Sequence, residues 1–159
     1  DKENVYTTTD ILTGKVKLEG KKVAVVGSGM TGLETAEYLI NDGNKVLVVE
    51  MADTVAPGVW MQHKDDIMPR LYEGGTRFYT SLKLTKINDG SIVLENEKGR
   101  KQELDCDCVV LSLGVKSDRA LYDELKDEAG NIYLIGDGEK AGRIADATRS
   151  AFECVKGIN

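Results

Sequence analysis

Val23-Ala24-Val25-Val26-Gly27-Ser28-Gly29-Met30-Thr31-Gly32-Leu33-Glu34 decides the fold. Val23 to Val26 is a short, wholly apolar run that stops at Gly27, the pattern of a strand buried on both faces. Gly27, Gly29 and Gly32 then follow in GxGxxG spacing. The first glycine permits a tight turn, and the second lets backbone approach a pyrophosphate. The third allows close packing of strand and helix, and the helix start offers unpaired N–H groups and a positive dipole end. Leu33, Ala36, Leu39 and Ile40 are spaced for the inner stripe of that helix, with Glu34, Glu37 and Asn41 on its polar side. Asn41-Asp42-Gly43 ends it. Val46-Leu47-Val48-Val49 repeats the buried-strand pattern and closes on Glu50, 18 residues beyond Gly32. Strand, helix and strand within about 30 residues make a βαβ unit of right-handed crossover. Glu50 stands where a carboxylate can accept hydrogen bonds from an adenosine ribose. A dinucleotide is the expected ligand of this stretch.

Downstream, Met61–Glu73 carries Ile67, Met68, Leu71 and Tyr72 at helical spacing, with Pro69 placed to kink the helix or delay its start. Arg77–Glu97 alternates with period 2 through Leu82, Leu84, Ile87, Ile92 and Leu94, and Asp89-Gly90 between the halves predicts a hairpin. Val109-Val110-Leu111 and Ile132-Tyr133-Leu134-Ile135 read as two further buried strands, the second ending at Gly136-Asp137. Ile144, Ala147, Ala151, Phe152 and Val155 predict a closing amphipathic helix. The expected fold is a Rossmann-like three-layer α/β domain with a parallel sheet and a small antiparallel β-meander from about Arg77 to Asp105, its ligand beyond the carboxyl ends of the first two strands.

The 159 residues suit one domain and need no staple to fold. Lysine and arginine total 21 against 27 acids, a formal charge of −6, and the cations are scattered. Nucleic acid and anionic membrane are therefore not expected partners. No apolar run approaches the ~20 residues of a membrane span and no signal-peptide pattern opens the chain. Three cysteines, an odd number, argue against a disulfide framework and make the cytoplasm the expected location. The first residue, Asp1, is not Met, and the chain is expected to be a piece of a longer one.

The glycine stretch followed by Val49-Glu50 resembles the pyridine-nucleotide domain of two-dinucleotide flavoprotein oxidoreductases. More closely, the chain resembles the C-terminal part of the NADH:flavin oxidoreductase group, which includes 2,4-dienoyl-CoA reductase, enoate reductase and trimethylamine dehydrogenase. Asp10-Ile11-Leu12-Thr13-Gly14 is similar to the crossover into the nucleotide domain, and Leu111-Ser112-Leu113-Gly114-Val115 to the segment leading out. Ile132–Asp137 matches the late strand-Gly-Asp motif, whose Asp in that family hydrogen-bonds the flavin dinucleotide. The resemblance implies NADH delivering hydride to a flavin, with FAD held in the parent through Gly136 and Asp137. FMN and an iron–sulfur cluster belong only to parts of the family's enzymes that have no counterpart in this chain. Residues 1–20 are expected to be a connector from a flavin domain, 21–115 the NAD(H)-binding domain, and 116–159 a return segment. The remaining domains of the parent are the implied protein partner.

Glu50 repels a 2′-phosphate, and neither Met51 nor Ala52 supplies a compensating Arg, so NADH is expected in preference to NADPH. The expected cofactor-facing set is Gly27, Ser28, Gly29, Met30, Thr31, Gly32, Glu34, Glu50, Met51, Gly114, Gly136 and Asp137. Glu34 can point to the cofactor or simply favour the helix dipole. Arg143 and Lys140 can meet a phosphate or form a solvated helix face. No catalytic residue and no metal ligand is expected, since in flavin enzymes the cofactors carry the hydride. Two alternatives stay open: the glycine loop holding FAD or ADP in a structural or electron-transfer role, and a non-catalytic binding module. Tyr122 and Lys126 satisfy YxxxK but lack the differently spaced glycine loop that accompanies that pair in short-chain dehydrogenases. Cys106-x-Cys108 is neither a redox nor a zinc pattern, and on one strand both thiols would share a face. His63 is expected as a solvated helix residue and Trp60 as packing for a strand–helix corner.

Overall fold

The structure is a computed structural model that describes residues 3–128 and 130–158. Asp1, Lys2, Ala129 and Asn159, which fall within the expected connector and return segments, lie outside the described residues. The chain divides into two compact units, Asp1–Gly114 and Val115–Asn159.

The first unit is built on a parallel sheet of five strands. In chain order its elements are β1 (Val5–Thr7), α1 (Thr8–Leu12), β2 (Lys22–Val26), α2 (Met30–Asn41), β3 (Lys45–Val49), α3 (Met61–Glu73) and β4 (Arg77–Tyr79). The meander β5 (Lys83–Ile87), β6 (Ser91–Glu95) and β7 (Lys101–Asp105) follows, then β8 (Cys108–Leu111). The spatial order of the parallel strands is β1-β8-β2-β3-β4. The all-apolar runs become the central strands β2, β3 and β8 because both faces of the sheet are covered. Val23, Val25, Val48 and Val110 pack beneath Leu33, Ala36 and Leu39 of α2 and Ile67 and Leu71 of α3. Ala24, Val26, Leu47, Val49 and Val109 pack on the other face against Ile92 and Leu94 of β6. The layers are therefore helices, parallel sheet and meander, as expected. Hairpin β5–β6 turns at Asp89-Gly90, where Gly90 has φ +84°. Helix α3 continues through Pro69, and Arg70 ties it to α2 by bonding Glu37 while also holding Asp66 at 2.9 Å.

Within the expected connector, β1 pairs in parallel with β8 and Ile11 is buried in the core. Three expectations are corrected. Arg77–Tyr79 does not open the meander but joins the parallel sheet as β4 beside β3, and the meander begins at Lys83. Cys106 and Cys108 are both buried but lie on opposite sheet faces. The chain bends at Asp107 between the meander and β8, so the period-2 argument does not run through them. Third, Ile132–Ile135 forms no strand. The second unit contains α4 (Ala120–Leu125), a 3₁₀ turn at Gly136–Gly138 and α5 (Ile144–Lys156), and among its described residues no strand offers a ladder partner. Helix α5 forms where expected, yet its apolar stripe is open to solvent, with Ile144 88% and Val155 67% exposed.

Candidate functional site

The glycine loop leaves β2 at the carboxyl end of the sheet. Gly27 has φ +106°, and its N–H donates to the Val49 carbonyl at 2.8 Å. A Cβ at Gly27 would stand 2.2 Å from the Ser112 carbonyl oxygen, and one at Gly32 would stand 2.1 Å from that of Gly27. Both glycines are thus demanded by packing within the protein. Gly29 differs: a Cβ there meets nothing within 4 Å, and its φ of −62° suits any residue. Gly29 is the N-cap of α2, and no side chain caps that end. The N–H groups of the first turn consequently face open space with the positive end of the dipole behind them. Met30 and Thr31 are exposed on this turn, as is Glu34 just beyond it.

Ser28 is fully buried and governs the geometry of Glu50, a role not drawn from the sequence. Its N–H and hydroxyl both donate to Glu50 Oε2, at 2.9 and 2.8 Å, while Ala52 N–H donates to Oε1 at 2.9 Å. Ser28 Oγ in turn accepts the Ala56 N–H at 2.9 Å, fixing Ala56 at φ +59°. Burial pushes the Glu50 carboxyl upward. The N–H groups of Ala52 and Ser28, the Ser28 hydroxyl and the Met51 N–H outweigh that and hold it below the ordinary carboxylate value. A carboxylate has about four lone-pair sites, so these donors nearly saturate it. Three hydrogen bonds to its two oxygens leave about one acceptor site for a ribose hydroxyl. The signal was present in the sequence as a hydroxyl residue between the first two glycines and an acid ending the neighbouring strand.

The loop after Glu50 carries exposed Met51, and Trp60 is 62% exposed instead of packing a corner. His63, in the first turn of α3, places Nε2 3.7 Å from Glu34 Oε1, within ion-pair range when protonated. The ring is less than half exposed, so the expectation of a solvated histidine is replaced by one facing α2. Gly114 has φ +79° and ends the first unit.

In the second unit, Gly136 has φ +59° and its N–H donates to Ser150 Oγ at 3.1 Å. Asp137 is exposed and Oδ1 accepts the Gly142 N–H at 3.1 Å. Gly136, Lys140, Gly142 and Arg149 line a cavity of about 450 Å³. Tyr122 and Lys126 lie on or just after α4, where Arg119 stands 5.7 Å from the Tyr122 ring centre. No group of acids, histidines and cysteines among the described residues could hold a metal ion, and no described helix is long and apolar enough to cross a membrane.

A parallel sheet, a glycine turn and an uncapped helix start define a nucleotide-binding α/β protein. The chain belongs to the pyridine nucleotide-disulphide oxidoreductase family, whose pattern it matches over residues 2–151. It is 31% identical over 157 residues to the NADH oxidase of Thermoanaerobacter brockii, covering 96% of this chain and 24% of that protein. It is also 31% identical over 160 residues to the cinnamate reductase of Clostridium sporogenes, covering 98% and 24%. Among solved structures, 2-naphthoyl-CoA reductase in complex with 2-naphthoyl-CoA superposes with a TM-score of 0.79 at 26% identity, over 100% of this chain and 24% of that one. Histamine dehydrogenase from Rhizobium sp. 4-9 shares the fold, with a TM-score of 0.80 at 23% identity over 98% and 26% of the two chains. The chain spans about a quarter of the length of these relatives, and the resemblance read from the glycine loop and the late Gly-Asp is borne out.

Proposed function

We propose that this chain is the pyridine-nucleotide domain of a larger flavin-dependent oxidoreductase and holds NADH for hydride transfer to a flavin. The observation that carries this reading is the open, uncapped start of α2 at Gly29, flanked by two glycines that packing alone requires. Exposed N–H groups at a helix start suit a pyrophosphate. When bound, the nicotinamide supplies hydride and the flavin accepts it. The chain's own residues position and select. Gly29, Met30 and Thr31 take the phosphates, Glu34 and Met51 border them, and Gly114 leads the chain away. Glu50 acts as a buried anion whose charge disfavours a 2′-phosphate. Gly136 and Asp137, beside Lys140, fit the FAD of the parent enzyme, whose other domains are the proposed partners. The cytoplasm is the proposed location.

Gly29→Ala tests this directly. Its methyl occupies only the space proposed for the pyrophosphate, so NADH affinity should fall at least ~10-fold, about 1.4 kcal/mol. The melting temperature should hold within ~2 °C. Unchanged NADH binding would overturn the assignment. NADPH binding as tightly as NADH at equal ionic strength would overturn the preference.

A further inference from the structure

We infer that the opposite end of the parallel sheet carries a second site, for an organic polyphosphate. Three adjacent strands begin with a cation on the same face: Lys22 on β2, Lys45 on β3 and Arg77 on β4. Lys22 and Lys45 stand directly opposite in the parallel register, and Arg77 pairs with Leu47, two residues along from Lys45. Side chains alternate along strands, so Lys22, Lys45 and Arg77 share the face of Ala24, Leu47 and Tyr79, which looks toward the meander.

This face is concave. The three cations, with Leu47, Tyr79 and Leu104, line a groove of about 570 Å³, within the size of small-molecule sites. The groove lies about 15 Å along the strands from the glycine loop, by the rise of a five-residue strand. Lys22, Lys45 and Arg77 form no ion pair with any carboxylate among the described residues. Asp107 meets Lys22 through the backbone groups of Lys22 alone: its carboxylate accepts the Lys22 N–H and its own N–H donates to the Lys22 carbonyl, each at 2.7 Å.

Like charges on neighbouring strands oppose folding. In a chain of net charge −6, with 27 acids available, three gathered cations lack carboxylate partners. An anion with several charges relieves that repulsion when bound. Arg77 offers a planar fork for phosphate oxygens, and the lysines add point charges. Tyr79, Leu47 and Leu104 form an apolar wall beside them, which suits a ligand with a flat organic body as well as phosphates. The exposed turn at Gly75, φ +77°, adds no side chain to obstruct entry beside Arg77.

The test is an NMR titration of the ¹⁵N-labelled 159-residue chain with sodium tripolyphosphate and, separately, with ATP. Saturable shifts at the amides of Lys22, Lys45, Gly75 and Arg77 are expected with both, with tighter binding of ATP. Lys45→Gln combined with Arg77→Gln should weaken both at least tenfold while other resonances stay in place. Lys22→Gln alone should cause a smaller loss and serves if the double variant misfolds. Shifts confined to residues 27–34, a response without saturation, or insensitivity to these substitutions would overturn the site. Equal affinity for ATP and tripolyphosphate would overturn the organic part of the ligand. Tighter binding of polyglutamate than of ATP at these amides would overturn the choice of a small molecule.

Discussion

Replacing Glu50 with Gln keeps the shape of the side chain and removes half of its acceptors. The carboxylate receives Ser28 N–H and Oγ–H on one oxygen and Ala52 N–H on the other. A glutamine can turn its single oxygen to Ser28, and then its NH₂ faces the Ala52 N–H. Two charge-assisted bonds become neutral, costing about 1 kcal/mol, and one buried donor is orphaned, costing about 1–3 kcal/mol. Relief of desolvation works the other way, but the lowered titration of Glu50 shows that the donors outweigh burial. The net loss should be about 2–3 kcal/mol, a fall of roughly 10 °C in melting temperature. Because the folded carboxyl titrates below its ordinary 4.5, its contribution is fully present above that pH and disappears as pH falls through the folded value. Urea unfolding of both proteins from pH 7 to pH 3 measures the difference. It should be constant above about pH 5 and shrink below. A difference under ~0.5 kcal/mol at pH 7, or one that does not change down to pH 3, would refute the view that donors to a charged Glu50 hold the loop.

Other outcomes follow from the same packing. Gly32→Ala places a methyl against the Gly27 carbonyl and should destabilise by ~3 kcal/mol or more, seen as loss of the cooperative melt. Asn44 is buried, donating to the Leu18 and Leu39 carbonyls and accepting the Lys21 N–H, so Asn44→Ala should cost about 2–4 kcal/mol by denaturant unfolding. Leu94→Ala should cost about 2–5 kcal/mol, since Leu94 is fully buried between the meander and sheet. Burial pushes the Cys106 thiol up to about 11, and Cys108 is raised for the same reason. Thiol reagents at pH 8 should therefore label Cys154 first, and the other two only at the rate of unfolding.

The glycine loop was legible because each of its neighbours agreed with it: apolar runs of strand length on either side, a helical stripe after it and an acid at the next strand end. Periodicity also located the meander and α3, where side chains alone decide which face is buried. The site was less legible than the fold. Glu50 could be placed at the ligand end of the sheet from spacing, but its partners depend on how Ser28 is turned by the strand–helix corner, a tertiary matter. Ile132–Ile135 has the composition of a buried strand and no strand, because a ladder requires a neighbour that composition does not supply. Val5–Thr7 shows the converse, a polar-flanked tripeptide made into a strand by the edge of β8. Cys106 and Cys108 were separated by a bend, which no two-residue periodicity reveals.

The place of β8 in the sheet sets the order in which the first unit can be completed. It is the last of the described strands in sequence, yet it lies between β1 and β2, pairing with both. Until residues 108–111 have left the ribosome, β1 and β2 both lack the strand that joins them in this sheet. The segment β2-α2-β3 can form early from near neighbours, and the meander from its own hairpins. Joining β1 to β8 requires closing a loop of about 100 residues, the slow kind of contact. A nascent chain stopped before Cys108 should therefore expose β2 to chaperones or to other chains, and insertion of this one strand converts those separate pieces into a single cooperative sheet.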